Sequence, residues 1–276
     1  MILFNNITVK KQGRTLLHSV RGAVESGNFL GIVGANGSGK TTLLRVMAGL
    51  MLVQAGECFL KGKSLRQHSP ACLHKLRAYL PAERTCHWNL LGHDILDIME
   101  IERGSRAPLF KKTETQDLLH RSYQSLSMGE KSRLLLTCTL AMDRDLVFLD
   151  EPLFALDPRH QIRMMALLKA QAMKGKTIIA VFHELSLVRD FCDKTWLMRQ
   201  GEILSAGPAK QVLTSSVIQE GYDLNEEEAL YFLRDNPLTE TMQSTLKVGE
   251  VKDEKSENDA IDGKRSKGEF AQPAHE

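Results

Sequence analysis

Short apolar runs alternate with amphipathic segments through the middle of the chain. The runs FLGIV at 29–33, LVFL at 146–149 and TIIAVF at 177–182 predict strands, because short apolar runs are typical of strands buried on both faces. The segments KTTLLRVMAGL and RHQIRMMALLKAQAM predict helices between them. Strands that alternate with helices favour a mainly parallel sheet covered on both faces. The pattern therefore predicts an α/β fold.

Two regions depart from this alternation. In the N-terminal part, ILFNNITVKK and GECFLKGKSL predict strands with turn residues between them, and hence an antiparallel β subdomain beside the main sheet. In the segment HDILDIMEIER, the apolar residues Ile95, Ile98, Met99 and Ile101 recur near helical spacing. We therefore expect an inserted helical subdomain at about 84–140.

The last residues differ in composition from the rest of the chain. Residues 243–276 contain few large apolar side chains and many charged ones, so they cannot bury enough surface to offset the entropy of ordering. The whole chain of 276 residues is 42% hydrophobic and 25% charged, which is ordinary for a globular protein. We predict one folded domain at 1–242 and a disordered charged tail at 243–276.

Charge and cysteine content narrow the class of partner. A formal net charge of +2 provides no strong field for a nucleic acid, so we expect no nucleic-acid partner. The five cysteines are scattered without a CxxC pair, which favours reduced thiols over a disulfide or zinc framework. No apolar run approaches the roughly 18 residues that a membrane-spanning helix needs. If the protein works at a membrane, other chains must hold it there.

The segment GANGSGKT at 34–41 fits the phosphate-loop pattern GxxxxGK[ST] between a predicted strand and a predicted helix. Glycines let such a loop turn its backbone N–H groups toward phosphate oxygens, and the helix N-terminus adds positive potential. Lys40 is expected to reach the β and γ phosphates, and Thr41 to offer a hydroxyl to Mg²⁺. The alternative is a plain glycine-rich turn. The candidate nucleotide-binding residues are Gly34, Asn36, Gly37, Ser38, Gly39, Lys40, Thr41 and Thr42.

Two acidic residues follow the run LVFL. Asp150 and Glu151 lie at the predicted carboxyl end of a buried strand, where open α/β sheets bind ligands. Asp150 is expected to hold Mg²⁺ together with Thr41, and Glu151 to take a proton from an attacking water. A solvated turn is the alternative interpretation. The phosphate loop upstream favours a site for ATP and Mg²⁺.

The segment LSMGE at 126–130 resembles the signature sequence, usually LSGGQ, of the ATP-binding cassette family. It follows Lys40 by 87 positions and precedes LVFLDE, which is the order in that family. Taken alone, Ser127 and Glu130 predict a helix N-cap with a capping box. The resemblance, which covers roughly 1–225, implies a P-loop NTPase core and a head-to-tail dimer. In that dimer, Ser127 and Gly129 of one subunit close over ATP held by the other.

Two further segments match the family. The segment ALD at 155–157 resembles the part that crosses the dimer interface, with Asp157 as its acid. His183, which follows TIIAVF, resembles the switch histidine that contacts the γ phosphate and orients Glu151. The resemblance therefore implies Glu151 and His183 as catalytic residues. A structural role is the alternative for a single histidine after a strand.

Three positions depart from the family pattern. Ala82 stands where a glutamine that senses Mg²⁺ and water is expected, and Met128 replaces the first signature glycine. Lys10 or Lys11 stands where an aromatic side chain stacks on adenine, and a lysine is a weaker platform than a ring. We therefore expect altered coupling and a modest affinity for nucleotide.

The segment from LDPRHQ to EGYDL resembles the ATPases of iron-siderophore, haem and cobalamin importers. This resemblance implies an ATP-hydrolysing motor subunit that is cytoplasmic and peripheral on the inner face of the cell membrane. The implied partners are an integral-membrane permease, a second copy or a paralogous ATPase as dimer partner, and, indirectly, a substrate-binding protein.

Other classes of cassette protein remain open at this point. A soluble ATPase of DNA repair, chromosome structure or translation usually has a long coiled coil before the signature or two cassettes in one chain. This chain has one cassette, and only 87 positions lead from Lys40 to Ser127, which disfavours this class. An exporter subunit or a regulatory subunit of low activity stays possible, the latter because of Ala82. A small-molecule kinase is not expected to contain LSMGE or His183.

Overall fold

The computed structural model describes residues 1–86, 88–102, 104 and 106–233. All of these residues belong to one compact unit. The predicted tail at 243–276 and the last residues of the predicted domain lie outside the described residues, so both boundaries remain predictions.

The described residues form two sheets. The larger sheet has the strand order β10-β9-β3-β8-β7-β6, and all its neighbouring strands are parallel except the pair of β9 and β10. This arrangement confirms the predicted α/β fold. The strands are β1 (Ile2–Lys11), β2 (Arg14–Val24), β3 (Phe29–Gly34), β4 (Ala55–Leu60), β5 (Lys63–Ser64), β6 (Arg77–Leu80), β7 (Leu146–Asp150), β8 (Thr177–Val181), β9 (Lys194–Arg199) and β10 (Glu202–Pro208).

The smaller sheet is antiparallel, with the strand order β2-β1-β4-β5. The predicted strands ILFNNITVKK and GECFLKGKSL correspond to β1 and to the β4–β5 hairpin. The sequence analysis did not predict β2, which lies in the stretch between these strands, ahead of β3. Register shifts in the pairing of β1 with β2 interrupt the alternation of apolar and polar residues, which hides this strand in the sequence.

Helices surround the sheets in the described part of the chain. The predicted helices KTTLLRVMAGL and RHQIRMMALLKAQAM correspond to α1 and α6. None of the described helices is long and apolar enough to cross a membrane. The helices are α1 (Lys40–Met47), α2 (Pro70–Leu76), α3 (Gly92–Ile98), α4 (Ala107–Lys112), α5 (Met128–Ala141), α6 (Pro158–Met173), α7 (Leu185–Phe191), α8 (Ala209–Val212), α9 (Ser215–Tyr222) and α10 (Glu226–Phe232).

The region predicted as a helical insert contains α3, α4 and α5, which share a cluster of buried apolar side chains. The predicted helix HDILDIMEIER is too long, because α3 ends at Ile98 and Glu100 has a left-handed backbone with φ of 55°. Ile98 is exposed, whereas Ile101 is buried beyond the end of the helix. Helix α5 also packs beside β6, which joins the insert to the main sheet.

The other apolar cluster lies between the two sheets and α1. Phe4 of β1 packs edge to face against Trp196 of β9, with ring centroids 5.5 Å apart, and Leu43 and Leu44 of α1 are fully buried in the same cluster. Because β3, β7 and β8 are parallel and in register, their carboxyl ends meet at one edge of the sheet. The N-terminus of α1 follows β3 directly, so this packing places it at the same edge.

Candidate functional site

The loop between β3 and α1 requires glycine. Gly34, Gly37 and Gly39 have φ values of 144°, 79° and 101°, which residues with a side chain rarely adopt. A Cβ atom at Gly34 would lie only 2.2 Å from the carbonyl oxygen of Met198. Gly39 is the N-cap of α1 and has no side chain to bond the first N–H groups of the helix. These N–H groups can therefore bind an anion.

Lys40 is held on the loop itself. Its side chain is buried, and the ammonium donates hydrogen bonds to the carbonyl oxygens of Gly34 at 2.7 Å and Ala35 at 3.0 Å. Burial lowers the pKa of Lys40, and the nearby carboxylates of Glu151 and Asp150 act in the opposite direction. A phosphate group can compete for the same ammonium protons, since hydrogen bonds between charged partners are the stronger ones.

An open cavity of about 230 Å³ lies against this loop. Its lining brings the loop together with Glu151, and it adds Leu16 of β2. Leu16 was not predicted because its strand was not recognised. A larger cavity, about 430 Å³, is lined by His18, Arg199 and Glu202 among others and contains neither the glycine loop nor the acidic pair. The smaller cavity is lined by Leu16, Asn36, Gly37, Gly39, Lys40, Thr41, Thr42 and Glu151.

Two predicted loop residues lie behind the cavity rather than on its wall. The amide of Gly34 donates to the hydroxyl of Tyr222 at 2.8 Å, and burial raises the pKa of this tyrosine to about 12. The hydroxyl of Ser38 is buried and has no hydrogen-bond partner among the described residues. Nothing in the sequence pattern points to Tyr222, which comes from α9, far along the chain.

Asp150 is fully buried at the carboxyl end of β7. Its Oδ1 accepts a hydrogen bond from the Thr41 hydroxyl at 3.0 Å, and its Oδ2 accepts one from Tyr79 at 3.4 Å. Burial is the largest influence on Asp150 and raises its pKa, although the bond from Thr41 opposes this shift. A carboxylate and a hydroxyl oxygen beside a phosphate loop are ligands that suit Mg²⁺. The residues therefore fit this ion.

Glu151 has a left-handed backbone, with φ of 51°, and its side chain is about one-third exposed. Its Oε1 lies 3.0 Å from Nε2 of His183, which follows β8. The structure thus brings together the two residues predicted as catalytic. A carboxylate that lines the cavity and bonds to an imidazole is placed to accept a proton from water there.

Arg84 was missed by the sequence analysis. Its guanidinium is buried, and Nη2 donates to the carbonyl oxygens of Asp150 at 3.3 Å and Glu151 at 2.9 Å. The hydroxyl of Tyr123, in the insert, donates to the carbonyl oxygen of Arg84 at 2.6 Å. In the sequence, an arginine after a strand is indistinguishable from an ordinary surface cation.

The signature segment begins α5 with the predicted capping box. The Ser127 hydroxyl accepts from the Glu130 amide at 3.3 Å, and the Glu130 carboxylate accepts from the Ser127 amide at 2.8 Å. The bond from the Ser127 backbone and the contact with Arg121 lower the pKa of Glu130. Ser127 is exposed, and neither it nor Gly129 lines the cavity beside Lys40.

Gly129 and Asp157 belong to one surface. A Cβ atom at Gly129 would lie 2.8 Å from the carbonyl oxygen of Ala155, so the helix approaches this segment closely. Asp157 caps α6 by accepting from the amide of His160 at 2.8 Å, and its other oxygen lies 2.8 Å from Nδ1 of the same histidine. Met128, which precedes Gly129 at the start of α5, is 43% exposed.

The structure also shows the surroundings of Ala82, Lys10 and Lys11, which depart from the family pattern. Ala82 is partly buried and has no polar group, and the carboxylate of Glu83 accepts a hydrogen bond from the Thr85 hydroxyl at 2.7 Å. Lys10 and Lys11 are exposed at the end of β1.

Comparison with known proteins agrees with this geometry. Residues 17–154 match the family model described as ABC transporter. A hemin import ATP-binding protein of Thermobifida fusca is 32% identical over 227 residues, covering 78% of this chain and 79% of the relative. A petrobactin import ATP-binding protein of Bacillus subtilis is 27% identical over 237 residues, covering 81% and 93%. The predicted similarity to the iron and haem importer group is confirmed.

Solved structures support the fold. A dimeric ATP-binding cassette, bound to ADP and phosphate in a post-hydrolysis state, superimposes with a TM-score of 0.67 at 22% identity. The match covers 76% of this chain and 99% of that cassette. The family model matches half of the chain, and a relative above 30% identity spans most of both sequences. The chain therefore belongs to the ABC transporter family, as an ATP-binding subunit that hydrolyses ATP to drive transport.

Proposed function

We propose that two such subunits form a head-to-tail dimer that encloses two ATP molecules beneath a membrane permease. The observation that carries this proposal is that the phosphate loop and the signature segment lie on separate surfaces of one chain. The phosphate loop lines a cavity with Glu151, whereas Ser127 and Gly129 are presented outside that cavity. A second subunit is needed to place Ser127 and Gly129 against the ATP of the first.

The residues support the following sequence of events. ATP binds with its phosphates on the N–H groups of the loop and of α1, and Lys40 exchanges its carbonyl partners for phosphate oxygens. Thr41 and Asp150 would hold Mg²⁺, which would supply positive charge beside the phosphates. Water attacks the γ phosphorus while Glu151 takes its proton, and the bond to the bridging oxygen breaks to release ADP. His183 orients Glu151 and contacts the γ phosphate.

The permease docks on the helical insert. Trp88, Leu91 and Ile98 are exposed by 73%, 46% and 62%, respectively, and exposed apolar side chains grouped in one subdomain are typical of an interaction surface. With this partner the subunit lies at the inner face of the cell membrane, on its cytoplasmic side. Closure of the dimer on ATP moves the two inserts and, with them, the permease.

The cargo is an iron chelate, haem or a related compound such as cobalamin. The similarity to hemin import and petrobactin import ATP-binding proteins supports this class. A substrate-binding protein delivers the cargo to the permease and does not contact this subunit. The dimer partner is a second copy or a paralogous ATPase, since both provide the same two surfaces.

The experiment that tests this proposal is affinity purification of the full chain from gently solubilised membranes. We expect a multi-span membrane protein at a ratio near one permease half to one ATPase. Trp88→Glu should lose the permease and keep ATP hydrolysis, whereas Met173→Glu, at the exposed end of α6, should keep the permease. Capture of ribosomes, DNA or soluble proteins alone would contradict the proposal.

A further inference from the structure

Glu151 adopts a backbone conformation that its surroundings must hold. Its φ of 51° lies in the left-handed region, which is disfavoured for residues with a side chain. Its carbonyl oxygen accepts a hydrogen bond from the amide of Phe154 at 3.2 Å, which closes a turn after β7. The direction of the Glu151 carboxylate depends on this turn, because the side chain projects from its first residue.

Arg84 contacts the same carbonyl oxygen. Its Nη2 donates to the carbonyls of both Asp150 and Glu151, while its Nε and Nη1 have no partner in the described part of the chain. Burial lowers the pKa of this guanidinium. An apolar side chain would fill such a site at lower cost in desolvation, so stability alone does not explain an arginine here.

The backbone of Arg84, at the first residue of the predicted insert, is in turn held by the interior of the insert. The hydroxyl of Tyr123 donates to its carbonyl oxygen at 2.6 Å, and Tyr123 is buried in the apolar cluster of the insert, four positions before Ser127. Ala82 has no polar group with which to make such a connection. A contiguous set of hydrogen bonds therefore runs from the insert through Arg84 to the backbone of Glu151.

We propose that Arg84 is a positioning residue for ATP hydrolysis, which holds the turn at Glu151 and transmits to it the position of the helical insert. This inference rests on the proposed role of Glu151 as the base. This role requires no contact between Arg84 and ATP. Its removal is expected to slow hydrolysis while leaving the affinity for nucleotide nearly unchanged.

The test compares Arg84→Met, Arg84→Lys and the control Arg77→Met in the purified full-length protein with its permease. Arg77 is another arginine whose pKa burial lowers, and one of its guanidinium nitrogens is also without a partner in the described residues. We expect Arg84→Met to lower kcat by about 10- to 100-fold, the loss that a small misplacement of a reacting group causes. KM and the Kd for ADP should stay within about threefold of wild type.

The control and the conservative variant separate positioning from folding. Arg77→Met should keep kcat near that of wild type, and Arg84→Lys should recover part of the loss, since an ammonium can still donate to one carbonyl oxygen. Equal losses of kcat and of nucleotide affinity in Arg84→Met and Arg77→Met would overturn the proposal. Hydrolysis by Arg84→Met within threefold of wild type would overturn it as well.

A second measurement does not depend on turnover. Hydrogen exchange at the Phe154 amide should be faster in Arg84→Met than in wild type or Arg77→Met, because the carbonyl that this amide bonds to is no longer held. Unchanged exchange would contradict the positioning role. A wrong assignment of Glu151 as the general base would give a different result. Glu151→Gln would then hydrolyse ATP normally, whatever the rate of exchange at the Phe154 amide.

Discussion

The two halves of the proposed ATP site differ in how far one chain completes them. The phosphate-loop half is built into the interior: Ser38, Lys40 and Asp150 are 4%, 6% and 0% exposed. The signature half lies on the surface, where Ser127 and Asp157 are exposed and each caps its own helix. Burial preorganises the first half, and local capping preorganises the second. Capping bonds within a helix can therefore fix the geometry of an exposed binding surface without burying it.

The largest effect is expected in the buried half. Glu151→Gln should lower ATP hydrolysis by about 10²- to 10⁴-fold, because the amide cannot accept a proton from water. ATP binding should be retained, since Glu151 is not a phosphate ligand. Steady-state hydrolysis and equilibrium binding of ATP measure the two effects. Glu202→Gln on β10 is the control, and a loss of hydrolysis there equal to that of Glu151→Gln would contradict the assignment.

The second prediction concerns the exposed half. Ser127→Ala should lower hydrolysis by about 10- to 100-fold, because a hydrogen bond to a charged group contributes about 1.5–3 kcal/mol. It should also abolish the ATP-dependent dimer that the Glu151→Gln background accumulates, as measured by light scattering. The substitution removes a helix cap as well, with a cost of about 1 kcal/mol in stability.

A matched control for this loss exists in the same chain. Asn225 and Glu228 form a capping box at the start of α10, with both hydrogen bonds at 2.9 Å. Asn225→Ala should lower the melting temperature about as much as Ser127→Ala and leave hydrolysis unchanged. If both variants lost hydrolysis equally, the signature serine would be only a cap, and the comparison between the two halves would fail.

The third prediction concerns the stability that the nucleotide-free protein loses by burying the Asp150 carboxylate. Burial raises the pKa of Asp150, so its charged form is unfavourable in the folded protein at neutral pH. Asp150→Asn should therefore raise the melting temperature of the nucleotide-free protein and weaken Mg²⁺-dependent ATP binding. A gain of 1 kcal/mol corresponds to about 2–4 °C for a domain of this size.

Because the pKa of Asp150 is raised, its destabilising effect on the folded protein should depend on pH. A raised pKa in the folded state means that the unfavourable contribution is present at neutral pH and disappears as the pH falls toward the ordinary aspartate value of about 3.9. The melting-temperature difference between Asp150→Asn and wild type should shrink over this range. Asp145→Asn, at an exposed carboxylate paired with Lys61, is the control. A difference that grew on acidification would refute the prediction.

The smallest effect is expected at Tyr222, which bonds to the phosphate loop behind the cavity. Tyr222→Phe removes the acceptor of the Gly34 amide and should cost about 1 kcal/mol of stability. Thermal unfolding should detect this loss, while kcat changes by less than about twofold. A large loss of nucleotide affinity in Tyr222→Phe would instead place Tyr222 in the binding site.

Much of the site was predictable because its residues are contiguous in the sequence. The phosphate loop, the acidic pair and the capping box at Ser127 each occupy a few consecutive positions, and local backbone geometry dictates their residue types. Leu16 was missed for a local reason, since register shifts hide β2. Arg84 and Tyr222 were missed for a different reason: their partners are 66, 67 and 188 positions away.

The sequence by itself determined the α/β class, the phosphate loop with its acidic partner, and the membership of an ATPase family, because these depend on periodicity and on short motifs. The tertiary structure alone decided that Arg84 holds the backbone of Glu151, that His183 contacts its carboxylate, and that Ser127 lies outside its own chain's cavity. Such contacts arise from the packing of distant elements, and packing depends on the shapes of all the side chains between them rather than on any local pattern.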